Sequence, residues 1–119
     1  MNIDIITINN QQLAVADTNE IIIKNIEDGT DLLGNVFYQG IDKVIINKQC
    51  IAPAFFDLKT GIAGEVLQKF ATYRVRLVIF GDWHAYNSNS LRDFIYESNK
   101  GKHVNFLATK EKAIEILSQ

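Results

Sequence analysis

The chain has 119 residues, of which 47% are hydrophobic and 22% are charged, and its formal net charge at pH 7 is −2. This length predicts one domain over residues 1–119, with a single core. The Lys and Arg residues are dispersed, which argues against a nucleic-acid partner, because such a partner needs a basic stripe that displaces counterions from phosphates.

The chain shows no export or membrane signal. Its start, MNIDIITINN, lacks a basic region followed by an apolar core, and apolar runs such as LVIF (77–80) are too short to span a bilayer. The single cysteine, Cys50, cannot form an internal disulfide, which suits a reducing compartment. We therefore expect a cytoplasmic protein without a membrane partner.

The first forty residues predict a hairpin and a helix. Residues 3–8 (IDIITI) alternate and are rich in β-branched side chains, and residues 13–17 (LAVAD) return after the turn-forming run NNQQ. Residues 20–23 (EIII) are either an extra strand or the lead into the helix. Asn25 is placed to cap that helix and Gly40 to end it. Its predicted apolar stripe consists of Ile26, Thr30, Leu33, Val36 and Phe37.

The rest of the chain alternates between strands and helices. Strands are predicted at residues 43–47 (KVIIN), 74–82 (RVRLVIFGD) and 103–107 (HVNFL). Ser90 is placed to cap the helix over residues 91–100, and Thr109 to cap the closing helix. The order predicts an α/β fold with a single mixed β-sheet, in which an N-terminal hairpin precedes β-α alternation, packed by about four helices.

The run FFDLKTGIAGEVLQKF (55–70) places an acid, a base, a hydroxyl, two glycines and a second acid between pairs of large apolar residues. Helical spacing is interrupted at Thr60 or Gly61, and Thr60 is a natural N-cap for the second segment. Gly61 and Gly64 would let a backbone or a ligand approach closely. One interpretation is a helix cap with packing glycines. The other is a binding loop at a helix N-terminus beside strand carboxyl ends, where anions and ligands bind.

Trp83 follows Gly81 and Asp82 at the carboxyl end of a predicted strand. It is either a rim residue that covers the core or one wall of a pocket whose floor is the Thr60 loop. Arg92, at the start of the next helix, could then reach an anion in that pocket.

The remaining polar residues form no recognisable metal or cofactor motif. His84, His103 and Cys50 lack the close spacing of a zinc site, so no metal and no cofactor are predicted. Asp57 and Glu65 could form a carboxylate pair for acid–base chemistry, together with Lys59 or His84.

Two long runs, FFDLKTGIAGEVLQKFATYRVRLVIFGD and LRDFIYESNKGKHVNF, resemble a family of small bacterial proteins known as domain of unknown function 4180. The runs FDLKTGIAGE and SLRDFIYESN are the specific part of this resemblance, which covers nearly the whole chain. The family name implies a fold and no activity.

More distantly, the order of elements and the ending FLATKEKAIEIL resemble the STAS/SpoIIAA-like architecture of anti-sigma-factor antagonists. In those proteins an Asp-Ser-Ser-Gly run opens a helix, and a kinase phosphorylates its second Ser. Thr60 and Gly61 match the Ser-Gly pair, whereas Asp57 is one residue too far from the hydroxyl. The resemblance implies that Thr60 is a phosphoacceptor.

Three functions follow as hypotheses. The first is a non-enzymatic regulatory or protein-interaction domain that is switched at the Thr60 loop. The second is a domain that binds a small anionic ligand between the Thr60 and Trp83 loops, and the third is a small acid–base enzyme. A free hairpin edge, at residues 3–8 or 13–17, also predicts a homodimer.

Overall fold

The computed structural model describes residues 3–84, 86 and 88–119, and these form one five-stranded mixed sheet with the strand order β1-β2-β3-β4-β5. The strands are β1 (Asp4–Ile8), β2 (Gln11–Ala16), β3 (Lys43–Asn47), β4 (Arg76–Phe80) and β5 (Val104–Leu107). β1 and β2 are antiparallel, and the other neighbours are parallel. The predicted α/β fold with one mixed sheet, a hairpin and β-α alternation is therefore confirmed.

Two asparagines form the turn of the hairpin. Asn9 and Asn10 have φ angles of 53° and 64°, and Ile8 faces Gln11 directly across the turn. Two central residues of positive φ make a tight turn whose twist matches that of the strands, and asparagine tolerates this conformation better than most residues. The hairpin prediction is confirmed, with β2 starting earlier than expected.

The described residues contain five α-helices, one more than the number predicted. They are α1 (Ile26–Tyr38), α2 (Pro53–Phe56), α3 (Ile62–Thr72), α4 (Asn89–Asn99) and α5 (Lys110–Leu117). The additional helix is α2, a single turn. None of the five is long and apolar enough to cross a bilayer. Residues 20–23, for which two interpretations were open, contribute one bridge, between Ile23 and Ile51, on the way into α1.

Two predicted N-caps are confirmed. The Asn25 side chain accepts a hydrogen bond from the Asp28 backbone N–H at 2.8 Å, and Thr109 accepts one from the Lys112 N–H at 3.2 Å. Each cap satisfies an N–H group that has no partner within its helix. Gly40 follows the end of α1 with a φ angle of 76°, as predicted.

The predicted cap of α4 is wrong by two residues. Ser88 accepts the hydrogen bond from the Leu91 N–H at 3.3 Å, and Ser90 lies within the first turn. Serine is common both at the cap and in the polar run that precedes a helix, so residue type alone did not distinguish the two positions.

The predicted stripe of α1 is wrong at two positions. Leu33 and Val36 are buried as expected, whereas Phe37 is 52% exposed and Thr30 is also exposed. The buried face includes Gly29 instead, because α3 crosses there and a Cβ at Gly29 would lie 2.6 Å from a methyl group of Val66.

The two faces of the sheet are covered unequally. Alternate strand residues point to opposite faces, so Val44 and Ile46 pack in the cluster that contains residues of α1 to α4, while Ile45 packs with α5. The chain therefore leaves β4 towards one face and leaves β5 towards the other. In open α/β sheets, ligands bind at the carboxyl ends of strands whose connections diverge in this way, so a site is expected along this edge.

Candidate functional site

Polar side chains meet at the carboxyl edge of the sheet, after β2, β3 and β5. Asn47 donates a hydrogen bond to Asp17 Oδ1 at 2.9 Å, and Lys110 Nζ donates one to Asp17 Oδ2 at 2.9 Å. The hydrogen bond from Asn47, followed by that from Lys110, lowers the pKa of Asp17 below its ordinary value. The same pairing with Asp17 raises the pKa of Lys110. These bonds tie three chain segments together at this edge.

Lys48 follows β3 and lies over the loop that follows β4. Its Nζ donates to the Asp82 carbonyl at 2.8 Å and lies 4.4 Å from the ring centre of Tyr86 and 5.4 Å from that of Trp83. Ammonium groups are attracted to aromatic faces at such distances. Gly81 makes this position possible, because a Cβ there would lie 2.8 Å from Lys48 Cβ.

Trp83 is half-buried and held on several sides. Its indole N–H donates to the Leu107 carbonyl at 2.9 Å. The ring stacks on Tyr86 at 6.0 Å between centres and meets Phe56 at 5.6 Å and Phe106 at 5.1 Å. Since the indole nitrogen is hydrogen-bonded and the ring contacts three other aromatic rings, Trp83 is a rigid support for Lys48 and Tyr86.

A shallow groove of about 390 Å³ opens beside this support, and we call it the Lys48 groove. Its lining residues are Ile21, Lys48, Gln49, Ile51, Pro53, Phe56, Asp82 and Tyr86. The walls are mainly apolar, with one ammonium and one carboxylate at the rim. A mainly apolar concavity with a few polar groups has the composition of a small-molecule site.

The Thr60 turn, residues 57–61, has a different construction. The Thr60 hydroxyl donates to the Ala54 carbonyl at 2.8 Å and, as a shared bond, to the Asp57 carbonyl at 2.9 Å. The prediction that Thr60 is the N-cap of α3 is wrong: Thr60 ends a 3-10 turn, and Gly61 takes the cap position with a φ angle of 78°. The chain reverses at Gly61, so the hydroxyl points back to α2, although it also accepts a bond from the Ile62 N–H at 3.3 Å.

The other predicted residues of this segment are exposed and satisfied locally. Asp57 Oδ1 accepts from the backbone N–H of Lys59 at 3.2 Å. A Cβ on Gly61 or Gly64 would meet nothing within 4 Å, so no part of the described structure approaches either glycine closely. Glu65 lies exposed in the first turn of α3.

The predicted pocket would have joined the Thr60 turn, Trp83 and Arg92. Among the residues that the structure describes, the lining of the Lys48 groove includes none of these three, and Trp83 only supports Lys48 and Tyr86 from behind it. Arg92 is exposed on α4 and donates a hydrogen bond to Asn89. Gly64 lines a separate groove, of about 440 Å³, that also includes residues of α4.

The Thr60 turn is nevertheless attached to the wall of the Lys48 groove. The Thr60 hydroxyl binds Ala54 in α2, and the same short helix ends at Phe56. Phe56 contacts the rings of Trp83 and Tyr86, at 5.6 Å and 5.7 Å between centres. The short helix α2 therefore connects the Thr60 turn to an aromatic side chain of the groove wall.

The residues proposed for acid–base chemistry lie on two separate segments. Asp57, Lys59 and Glu65 are exposed on the Thr60 turn and the start of α3. His84 is exposed after β4, where its backbone N–H donates to Asp82 Oδ1 at 2.9 Å. Over the described ranges, no three His, Cys, Asp or Glu side chains are grouped so as to hold a metal ion.

Sequence reasoning missed Asp17, Asn47, Lys48 and Lys110. Each lies at the carboxyl end of a predicted strand or just after it, and the carboxyl ends of parallel strands meet at one edge of a sheet. That position is the signal that could have identified them. The strand order needed to decide which of them touch was not available from the pattern.

The chain belongs to the family described as domain of unknown function (DUF4180), whose sequence model matches residues 8–117. This match confirms the family resemblance predicted from the FDLKTGIAGE and SLRDFIYESN runs. Searches of curated proteins and of solved structures find no match. The more distant resemblance to STAS/SpoIIAA-like proteins stays a prediction.

Proposed function

We propose that this chain is a non-enzymatic binding domain whose ligand occupies the Lys48 groove. The observation that carries the proposal is the position of Lys48, whose ammonium lies over Tyr86 and Trp83 at the rim of a mainly apolar concavity. The ligand class is a small molecule with a flat apolar body and one anionic group.

The anionic group is assigned to Lys48. An ammonium has three N–H donors, and among the residues that the structure describes Lys48 Nζ donates one hydrogen bond, to the Asp82 carbonyl. A carboxylate or phosphate could accept from the other donors and form charge-assisted bonds, which are the stronger class. The carboxylate of Asp82 also lies at this rim, so a ligand that carries a cationic group as well would be accommodated.

The flat apolar body is assigned to the inner wall of the groove. Ile51, Pro53 and Phe56 line it, and Tyr86 presents an aromatic ring. Phe56 is 6% exposed and is held by the neighbouring rings, so this wall is pre-formed. A pre-formed wall reduces the entropy lost on binding.

The test uses the only tryptophan of the chain as a reporter. The indole N–H resonance of Trp83 is followed by NMR during titration with 1-naphthoate, an aromatic anion, and with 1-naphthylmethanol, its neutral counterpart. We expect naphthoate to shift this resonance and Lys48→Gln to weaken its binding roughly tenfold, because a charge-assisted hydrogen bond is lost.

Arg92→Gln is the matched control, since Arg92 is a cation on α4 outside the groove lining. It should leave naphthoate binding unchanged. Equal weakening by Arg92→Gln and Lys48→Gln, or tighter binding of the neutral alcohol than of the anion, would contradict the assignment.

We also propose that the Thr60 turn regulates this domain. Thr60 is exposed, and its hydroxyl connects the turn to α2, beside a longer backbone bond from the Asp57 N–H to the same Ala54 carbonyl at 3.3 Å. A phosphate on that hydroxyl adds a charge of about −1.5 to −2 and removes the donor. The carbonyl oxygens of Ala54 and Asp57 cannot donate to it, so the turn would open and Phe56 would lose its support.

The intact mass of the protein from its native cells tests this regulatory proposal. A covalent phosphate that is absent from a Thr60→Ala variant supports a switch at this position. An unmodified mass under denaturing conditions, in cells grown with and without stress, would oppose it and leave the Lys48 groove proposal standing.

The cytoplasmic location belongs to the same proposal. It is supported by Cys50, which is free and buried, as expected for a chain folded in a reducing compartment. The Cys50 thiol donates to the Thr18 carbonyl at 3.4 Å and packs in the core.

A further inference from the structure

The two edge strands of the sheet, β5 and β1, differ in whether their outward backbone groups are hydrogen-bonded. At the β5 edge, Asn99 of α4 donates to the Phe106 carbonyl at 3.1 Å and accepts from the Phe106 N–H at 2.7 Å. Ser98 donates to the Val104 carbonyl. These two side chains occupy the place of a further strand, so the outward carbonyl of Val104 and both outward groups of Phe106 are satisfied within the chain.

The β1 edge carries outward groups of the same kind. Ile8 and Gln11 flank the two-residue turn and form a hydrogen-bonded pair, and this pairing recurs at Ile6 with Leu13. The backbone groups of Ile5 and Thr7 therefore point away from β2. Across residues 3–84, 86 and 88–119, no hydrogen bond reaches these outward groups.

The composition of β1 also lacks the usual protection of an edge. The strand reads DIITI, with no lysine, no proline and no bulge in its pairing to β2. Natural proteins normally place such features on edge strands to prevent pairing with another chain. Asp4 is the single charged residue of the strand, and it lies at one end.

We propose that β1 pairs with β1 of a second copy of this chain, antiparallel and around a twofold axis at Ile6. Ile5 of each copy then faces Thr7 of the other, and their outward N–H and C=O groups bond to each other. The two sheets become one continuous sheet. An antiparallel pair around this axis is the arrangement in which every outward group of Ile5 and Thr7 finds a partner.

The side chains on the axis are complementary. Ile6 is half-buried and packs in the apolar cluster on the α5 face. In the proposed register the two Ile6 side chains meet at a non-hydrogen-bonded position, where opposed residues are closest. The apolar cluster of one copy is thereby continued into the other.

Charge repulsion does not oppose a second copy in this register. Asp4 faces Ile8 of the other copy, so no like charges are opposed. The two Asp4 residues lie four positions apart along the seam, which is about 14 Å at the rise of an antiparallel strand. That separation exceeds the Debye length of about 8 Å at physiological salt, so their repulsion is screened.

The size of the contact sets its strength. One pair of five-residue strands buries less than the roughly 1,600 Å² of a standard interface. We therefore expect a dimer in concentration-dependent exchange with the monomer, rather than a permanent one.

Cysteine scanning tests the register. Ile6→Cys should form an intermolecular disulfide under mild oxidation, because opposed Cβ atoms at a non-hydrogen-bonded pair are about 4.5–5.5 Å apart. Ile8→Cys is the matched control on the same face, since its counterpart would be about 14 Å away. Equal cross-linking of both variants, or cross-linking of Ile8→Cys alone, would overturn the proposed axis.

Sedimentation velocity over a wide concentration range tests the contact itself. Thr7→Pro removes an outward N–H and no bond to β2, so the fold should persist while the dimer dissociation constant rises roughly thirtyfold, since two symmetric bonds are lost. Thr7→Lys is a second disrupting variant that keeps the backbone N–H. Gln12→Lys, one strand inward on the same face, is the control and should dimerise normally.

Two results would overturn the proposal. One is a protein that stays monomeric at every concentration, and the other is a dimer that neither Thr7 variant weakens. Hydrogen exchange gives a residue-level check: the amides of Ile5 and Thr7 should become protected only as concentration rises, whereas the Ile6 amide should be protected throughout.

Discussion

The Thr60 turn and the Lys48 groove are built from opposite kinds of contact. The side-chain bonds of the turn join residues at most six positions apart, as between Thr60 and Ala54. At the groove, Lys48 binds the Asp82 carbonyl 34 positions away, and elsewhere along the carboxyl edge of the sheet Asp17 binds Lys110 93 positions away. A cluster of polar residues in a sequence can therefore indicate a turn whose polar groups bond to one another, and not only a binding site.

Burial separates the two regions further. The polar residues of the turn face solvent over open space, whereas Trp83 and Tyr86 are half-buried and Phe56 is buried. A rigid, partly dehydrated wall strengthens electrostatic contacts to a ligand, and an exposed turn weakens them. This contrast is the reason to place ligand binding at the groove and regulation at the turn.

The largest expected difference between the two regions is the loss of unfolding free energy when an apolar side chain is removed. Trp83→Ala should lower the free energy of unfolding by about 3 kcal/mol, because it removes ring contacts and an indole hydrogen bond. Leu58→Ala, at a half-buried leucine of the Thr60 turn, should cost about 1 kcal/mol. Urea unfolding followed by circular dichroism measures both. Equal losses would mean that the turn carries as much packing as the groove.

Glycine-to-alanine substitutions should change stability in opposite directions at Gly81, beside the groove, and at Gly64, after the Thr60 turn. Gly81→Ala should cost about 2 kcal/mol, since its Cβ would crowd Lys48. Gly64→Ala should stabilise the protein by about 0.5–1 kcal/mol, because that helical position faces open space and alanine is the better helix former. Thermal unfolding of the two variants beside the parent chain would reveal the signs, and a stabilising Gly81→Ala would refute the crowding.

The hydroxyl of Thr60 should contribute less. Thr60→Val keeps the shape and removes the donor to Ala54, so we expect a loss of about 1 kcal/mol in the free energy of unfolding. Thr60→Ser keeps the hydroxyl and should be close to neutral. If the two variants were equally stable, the bond to α2 would carry no weight and the proposed coupling from the turn to Phe56 would fail.

The smallest effect is the pH dependence of the Asp17 cluster. The pKa of Asp17 is lowered from its ordinary 3.8, so its contribution to stability is present above that value and is lost as the pH falls through the lower pKa of the folded state. Conversely, the pKa of Lys110 is raised from 10.5, so its contribution is present below 10.5 and is lost as the pH rises through the raised value.

Asp17→Asn should therefore flatten the acid limb of a stability–pH curve measured by urea unfolding, by less than about 1 kcal/mol because the pair is partly exposed. Glu20→Gln, at an exposed carboxylate on the following loop, is the control. An acid limb that changes equally in both variants would show that general charge, and not the Asp17 cluster, shapes it.

The local structure of this chain follows from residues that are close together in the sequence. Asn25 and Thr109 cap helices because their short side chains reach a backbone N–H three residues away, and Asn9 and Asn10 turn the hairpin because asparagine accepts positive φ. The alternation of strands and helices could be predicted as well, because it also depends on residues a few positions apart. Boundaries such as Ser88 and Gly61 were missed, since a nearby residue that also suits a cap, Ser90 or Thr60, competes for the position.

Which strand ends meet, and which contacts they form, depends instead on long-range packing. Asp17 touches both Asn47 and Lys110 because β2 neighbours β3 and because α5 crosses the opposite face of the sheet, and no short-range pattern encodes either fact. Likewise, Gly81 matters because Lys48 passes over it from another strand. Hydrophobic periodicity acts over a few residues, whereas strand order follows from the packing of the whole core, and the site lies where that packing brings the strand ends together.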